Sequence, residues 1–177
     1  MADWLARLCG RRRVPPIEGA FSHQSGYVKG QVLSGPGWRF DVTFKIDTGS
    51  TWTVLLDNDF LNACKALGWT PHTDPDILNW IRVRPNLFQN IGSANTVGGP
   101  TDSIYLIKGV RLRYYQPDGQ ILDNKWQHRG QPLHGTFSRG FARRISGPHH
   151  SLLGGDHLNE LRQMLWSCPR KQIHLTP

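Results

Sequence analysis

The sequence is short of cysteine and of acidic residues, and it has no long apolar run. Three cysteines, Cys9, Cys64 and Cys168, are scattered over 177 residues with no Cys-x-x-Cys pair among them. So sparse and odd a set excludes a disulfide framework and supplies no thiolate pair for a structural zinc ion. Reduced thiols in a cytoplasmic protein are the expectation. No apolar stretch approaches the roughly 20 residues of a spanning helix, so no membrane span is expected. The start, Met1 to Cys9, has no basic segment ahead of an apolar one and does not read as a secretory signal. Acidic residues number 13 against 21 Lys and Arg, for a formal net charge of +8 and a pI of about 9.9. Such a chain attracts acidic partners, though charge says nothing about fold. His149 and His150, taken with Asp156 and His157, do not make a recognisable zinc pattern. No metal and no cofactor is expected.

What the chain does have is turns and bulky apolar side chains. Glycine (19) and proline (12) punctuate it, and seven tryptophans and seven phenylalanines supply core material. That composition suits one β-rich domain rather than a helical bundle. Residues 1–20 read as a basic N-terminal extension, with Trp4, Leu5 and Leu8 on one helical face ahead of Arg11-Arg12-Arg13. The domain is expected over 21–177. Tyr27–Leu33 reads as a strand, Ser34-Gly35-Pro36-Gly37 as a turn, and Trp38–Ile46 as a returning strand of period two. Trp52–Leu56 continues as a strand. Asp57 or Asn58 caps a helix over Phe60–Leu67, which Gly68 stops. Ile77–Val83 reads as a strand, Asn90–Leu106 as a glycine-rich hairpin, and Val110–Tyr115 as a further strand. Pro117-Asp118-Gly119 turns the chain so that Gln120–Trp126 pairs back. Residues 127–150 read as a long polar insertion of no regular period. Asp156 then caps a helix carrying Leu158, Leu161 and Leu165, ended by Pro169, and Gln172–Leu175 is the last strand.

The stretch that carries chemistry is Phe44-Lys45-Ile46-Asp47-Thr48-Gly49-Ser50-Thr51. Val42, Phe44 and Ile46 bury one face of a strand, and Asp47 follows on the opposite parity at its end. A tight turn then brings hydroxyls and backbone N–H groups back toward the carboxylate, which suits an acid or base. Asp47-Thr48-Gly49-Ser50 after an apolar strand resembles the active-site signature of the aspartic proteases. Two further elements stand in that family's order. Thr96-Val97-Gly98-Gly99-Pro100-Thr101 is similar to the tip of the flap that closes over substrate. Ser151-Leu152-Leu153-Gly154-Gly155-Asp156 is similar to the apolar pair plus glycine that crosses behind the catalytic turn. With one Asp-Thr-Gly on a short chain, the resemblance is to the single-lobe, retropepsin-like branch.

That resemblance implies an all-β fold: a retropepsin-like closed acid-protease barrel with a flap hairpin and one or two short helices. It implies an aspartic endopeptidase in which two copies each donate Asp47, with a peptide or protein as substrate. Two carboxylates in contact share one proton, because like charges keep both from ionising together. The ionised member takes a proton from the attacking water, and the protonated member polarises the carbonyl. One Asp-Thr-Gly per chain therefore implies a homodimer on a two-fold axis. The resemblance further assigns Thr48 to bracing the two turns, Gly49 to close backbone approach, Val97, Gly98 and Gly99 to the substrate-binding flap, and Leu152, Leu153 and Gly154 to the support behind the site. Terminal strands are expected to interleave across the dimer. Ser50, donating to Asp47, would favour the ionised form, so an acidic pH optimum is expected. Gly155 stands where the family usually has an arginine that helps hold the dimer.

Two other readings fit the same residues. One keeps the barrel without catalysis, as a dimerisation or interaction module. The other is a basic nucleic-acid-binding β-barrel in which Asp-Thr-Gly is a structural turn; its mark would be aromatics interleaved with arginines on one face, as Arg111–Tyr115 hints. Nucleic acid ranks below a peptide as the expected partner.

Overall fold

The period of two leading into Asp47 is realised over the stretch that shows it. In a computed structural model, strand β3 runs Trp38–Ile46 with Val42, Phe44 and Ile46 buried and Asp41 and Lys45 exposed. The structure describes residues 17–22, 25–34, 38–94, 102–115, 119–120, 133–137, 150–161, 163–167 and 172–176. Within them the fold is all-β with short helices. Ahead of β3 stand β1 (Ile17–Ser22) and β2 (Ser25–Ser34), and after it β4 (Val54–Leu56), α1 (Asp57–Ala66) and α2 (Ile77–Arg82). Then come β5 (Phe88–Ala94), β6 (Asp102–Ile107), β7 (Val110–Tyr114) and β8 (Leu133–Thr136). The chain ends with β9 (Ser151–Leu153), α3 (Gly155–Leu158), β10 (Gln163–Ser167) and β11 (Gln172–Thr176).

Among the described residues one 11-stranded sheet holds all the strands, in the order β10-β11-β1-β2-β3-β9-β4-β8-β6-β5, with β7 joined to β2. The curl of the sheet originates in β2. One edge of this strand pairs with β3 from Tyr27 to Ser34. The other pairs first with β1, up to Val28, and then with β7 from Gly30 onward. A strand that changes partner along its length must bend the sheet around a core. That core joins Val28, Val32, Val42 and Phe44 of the β2–β3 hairpin to Leu55, Phe60 and Cys64 of the β4–α1 segment. Phe60 is its aromatic centre, with its ring 4.8 Å from that of Phe137 and 6.2 Å from Phe88 and Tyr105. Gly135 of β8 faces the same ring, where a Cβ would overlap it.

Several expectations are corrected. Ile77–Val83 is not a strand: Asp76 Oδ1 accepts from Leu78 N and Asn79 N at 3.1 and 3.2 Å, and this cap starts α2. Trp80 and Ile81, buried, lie one turn beyond Ile77 at helical spacing. The N-cap of α1 is Leu56 with no side-chain cap bond, rather than Asp57 or Asn58. Gly68 does follow that helix, at φ +102, a conformation that favours glycine. The helix after Gly154 is one turn long, and Asp156 sits inside it while Gly154 is its N-cap. Leu165 lies in β10, 50% exposed, because pairing with β11 outweighs the helical spacing of Leu158, Leu161 and Leu165.

The segment expected as a polar insertion contains β8, buried along its whole length between β4 and β6. A strand covered on both faces shows no alternation. The sheet also begins at Ile17, ahead of the expected domain start, since β1 pairs with both β2 and β11. Both edges of β11 are thus occupied within the chain, leaving β10 rather than β11 as the outer strand. The pairing expected for Gln120–Trp126 falls almost wholly outside the described residues. No helix among the described residues is long and apolar enough to cross a membrane.

Candidate active site

Asp47 lies one residue beyond β3, half-buried, and its backbone is held from behind. The N–H of Asp47 donates to Leu153 O at 3.0 Å, continuing the parallel pairing of β3 with β9. The N–H of Ser50 donates to Asp47 O at 3.2 Å and closes the turn. Gly49 N–H donates to the Asp47 carboxylate itself, at 3.0 Å to Oδ1. The sequence places three consecutive small or hydroxylated residues here, so the backbone folds back on the carboxylate without a side chain in the way. Thr48 and Gly49 are exposed at the tip of the turn.

Ser50 does not do what was expected of it. Its hydroxyl donates to Trp52 O at 2.7 Å rather than to Asp47, so it closes the far side of the turn. The ground for expecting an acidic optimum is therefore absent.

Behind the turn, Leu152-Leu153-Gly154-Gly155 crosses Ser50–Thr53 at backbone distance. Gly155 N–H donates to Ser50 O at 2.8 Å, and Asp156 N–H to Thr51 O at 3.0 Å. Gly154 is fully enclosed, and a Cβ there would overlap the Trp52 carbonyl. Leu153 and Gly154 thus lie at backbone distance from the Asp47 turn, with Leu152 paired to Lys45 of β3. Gly155 contributes its backbone where an arginine side chain was the comparison.

Sequence reasoning missed the polar group that locks this crossing. Thr53, with no exposed surface, donates to Asp156 Oδ1 through both its N–H (2.8 Å) and its hydroxyl (2.7 Å). The same hydroxyl accepts from Gly154 N–H at 3.0 Å. His157 adds its own N–H to Asp156 Oδ1 at 2.8 Å, with its Nδ1 3.1 Å away. The other carboxylate oxygen has no hydrogen bond and lies 3.6 Å from Nδ1 of the buried His134. Burial pushes the Asp156 carboxyl up, but the hydrogen bonds from His157 and Thr53 outweigh it and hold the group below the usual carboxylate range. Burial lowers His134 despite the pull of the Asp156 charge. Asp156 was legible as a polar residue after a glycine pair. Nothing in the local sequence pointed to His134, which arrives on β8 from the middle of a segment read as surface. Asp156 and His157 do not join His150, whose ring instead packs edge-on against Tyr27 at 4.9 Å.

The hairpin expected over Asn90–Leu106 is formed by β5 and β6, paired from Phe88↔Ile107 to Ala94↔Asp102 with a register shift between Asn90 and Gly92. Val97, Gly98 and Gly99 at its tip lie outside the described residues. Cys64 is buried in the core, which pushes its thiol up to about 12 and disfavours the thiolate.

No protein-family model matches the sequence, and no curated protein matches it. Among solved structures, the chain is similar to a retropepsin-like aspartic protease from Rickettsia conorii, at 14% identity and a TM-score of 0.46, over 92% of this chain and 91% of that chain.

Proposed function

We propose that this chain is a retropepsin-like aspartic endopeptidase, active as a homodimer in which two Asp47 carboxylates share a proton and activate one water. The observation that carries the reading is the seat of Asp47: a half-buried carboxylate at the end of a buried strand, held by Gly49 N–H, on a turn whose backbone is tied to Leu153 and Gly155. A general acid–base pair needs carboxylates fixed to within a fraction of an ångström, and rigid elements supply that better than a free loop. In the reaction, the ionised carboxylate takes a proton from water as the oxygen attacks the peptide carbonyl. The protonated carboxylate polarises that carbonyl, and a proton passes to the leaving amine. Thr48 at the exposed tip braces the partner turn, and the β5–β6 hairpin covers the substrate.

The test is cleavage of a diverse peptide library by the wild type and by Asp47→Asn. The expected loss is about 10²–10⁴-fold or more, and specific activity should fall on dilution as the dimer parts. Equal cleavage by both proteins would remove Asp47 from the mechanism. A folded dimer that cuts nothing would make the chain a non-catalytic barrel.

A further inference from the structure

The outward face of β3, β2 and β7 carries a cluster of cations, and we propose that it binds the phosphates of a single-stranded nucleic acid. The register brings Arg39, Leu33 and Arg111 into one cross-strand row, and Asp41, Gln31 and Arg113 into the next. Lys29 and Lys45 continue the same face on β2 and β3, since alternate residues of a strand share a side. Lys29, Arg39, Lys45 and Arg111 are exposed and Arg113 is half-buried. None of these five pairs with a carboxylate among the described residues.

The acidic residue in these rows, Asp41, is already engaged: its Oδ1 accepts from Tyr115 OH at 2.6 Å and from Gln31 Nε2 at 3.2 Å. The Arg113 Nε is buried without a hydrogen-bond partner, one row position from Gln31. A guanidinium with an unpartnered Nε, on a face of five cations and one carboxylate, is the arrangement an anion completes.

Charge complementarity and spacing select the occupant. Alternate residues on a strand stand about 6.6–6.8 Å apart and neighbouring strands about 4.8 Å. From Arg39 to Lys45 the face therefore extends roughly 20 Å, with a cation at each end and Lys29, Arg111 and Arg113 on the neighbouring strands, a length that an extended phosphate chain can follow. Tyr115 brings a ring to the same face, its N–H on Lys29 O at 3.4 Å and its OH on Asp41, and an aromatic among cations is the pairing used for unstacked bases. A duplex groove takes a helix or a narrow ribbon, which this broad face does not offer. The inference is independent of the peptidase reading.

The test is binding of the full-length wild-type chain to a fluorescent oligothymidylate across a salt series. Engagement of five cations predicts a log–log salt slope of about −3 to −3.5. Arg39→Gln/Arg111→Gln should reduce the slope by about 1.4 and weaken binding roughly 20–30-fold at 0.1 M salt. Lys65→Gln/Arg82→Gln removes the same charge from the two helices and should leave the slope unchanged. Thermal melts of both variants, whose altered side chains are all exposed, confirm folding. Equal weakening by the two pairs would reduce the effect to net charge and overturn the proposal. So would absence of oligonucleotide binding, including the case in which phosphatidylserine vesicles bind instead and respond to Arg39 and Arg111.

Discussion

Replacing Thr53 by valine tests the argument that a buried polar lock, rather than strand pairing alone, holds the Asp47 turn. Valine keeps the shape and strand preference of threonine, so no cavity opens. What changes is the hydroxyl, which donates to Asp156 Oδ1 at 2.7 Å and accepts from Gly154 N–H at 3.0 Å. The enclosed Gly154 N–H would be left without an acceptor, at about 1–3 kcal/mol. Asp156 would lose one hydrogen bond to its charge, at about 1.5–3 kcal/mol. The expected loss is therefore about 2.5–6 kcal/mol, which in a chain of this length lowers the melting temperature by roughly 5–24 °C. Urea denaturation with a constant m-value would measure it. Thr53→Ser keeps the hydroxyl and loses only a methyl, so it should be the more stable of the two. A valine variant within 0.5 kcal/mol of the wild type, or more stable than the serine variant, would refute the reasoning.

Gly154→Ala should prevent folding or cost more than about 3 kcal/mol, because the new methyl meets the Trp52 carbonyl and neither backbone can yield; a variant melting like the wild type would mean that the crossing is looser than described. Stability should decline in two steps as pH falls. His134 binds a proton less readily folded than unfolded, so its contribution is complete above about pH 6.5 and is lost below it. Asp156 is held below its ordinary value, so its contribution persists to about pH 4 and disappears beneath that. Melting temperatures from pH 8 to 3 would show both steps, and His134→Asn should remove the upper one; an unchanged upper step in that variant would assign it elsewhere. Cys64, in a chain with Cys9 and Cys168 replaced by serine, should resist a thiol reagent at pH 8 until denaturant is added. Rapid labelling of the native protein would place it nearer the surface.

The readable parts of the chain are those where one face meets the core and the other meets water. β3 was legible to the residue because Val42, Phe44 and Ile46 alternate with Asp41, Thr43 and Lys45. The helix after β4 was legible from Phe60, Leu61 and Cys64 and from Gly68 beyond it. Segments whose burial is not one-sided were misread. β8 has four buried residues and no alternation. Ile77–Arg82 has β-branched residues at both a strand-like and a helix-like position, and the Asp76 cap decides between them. Leu165 has the spacing of a helix and the partner of a strand.

Local sequence was enough to mark Asp47 and its turn, since strand parity, a terminal carboxylate and Thr48-Gly49 are all properties of neighbours along the chain. It was also enough to mark Leu152-Leu153-Gly154 as a companion segment. Which atoms meet there was settled by tertiary structure. The Ser50 hydroxyl had Asp47 a few residues behind it and Trp52 O just ahead of it along the chain, and the folded turn chose the carbonyl. Thr53, His134 and Asp156 lie 81 and 103 residues apart from Thr53 onward, and no local pattern links them. They meet because β4 pairs with both β8 and β9, and a carboxylate carried into that crossing must find donors or pay its desolvation in full.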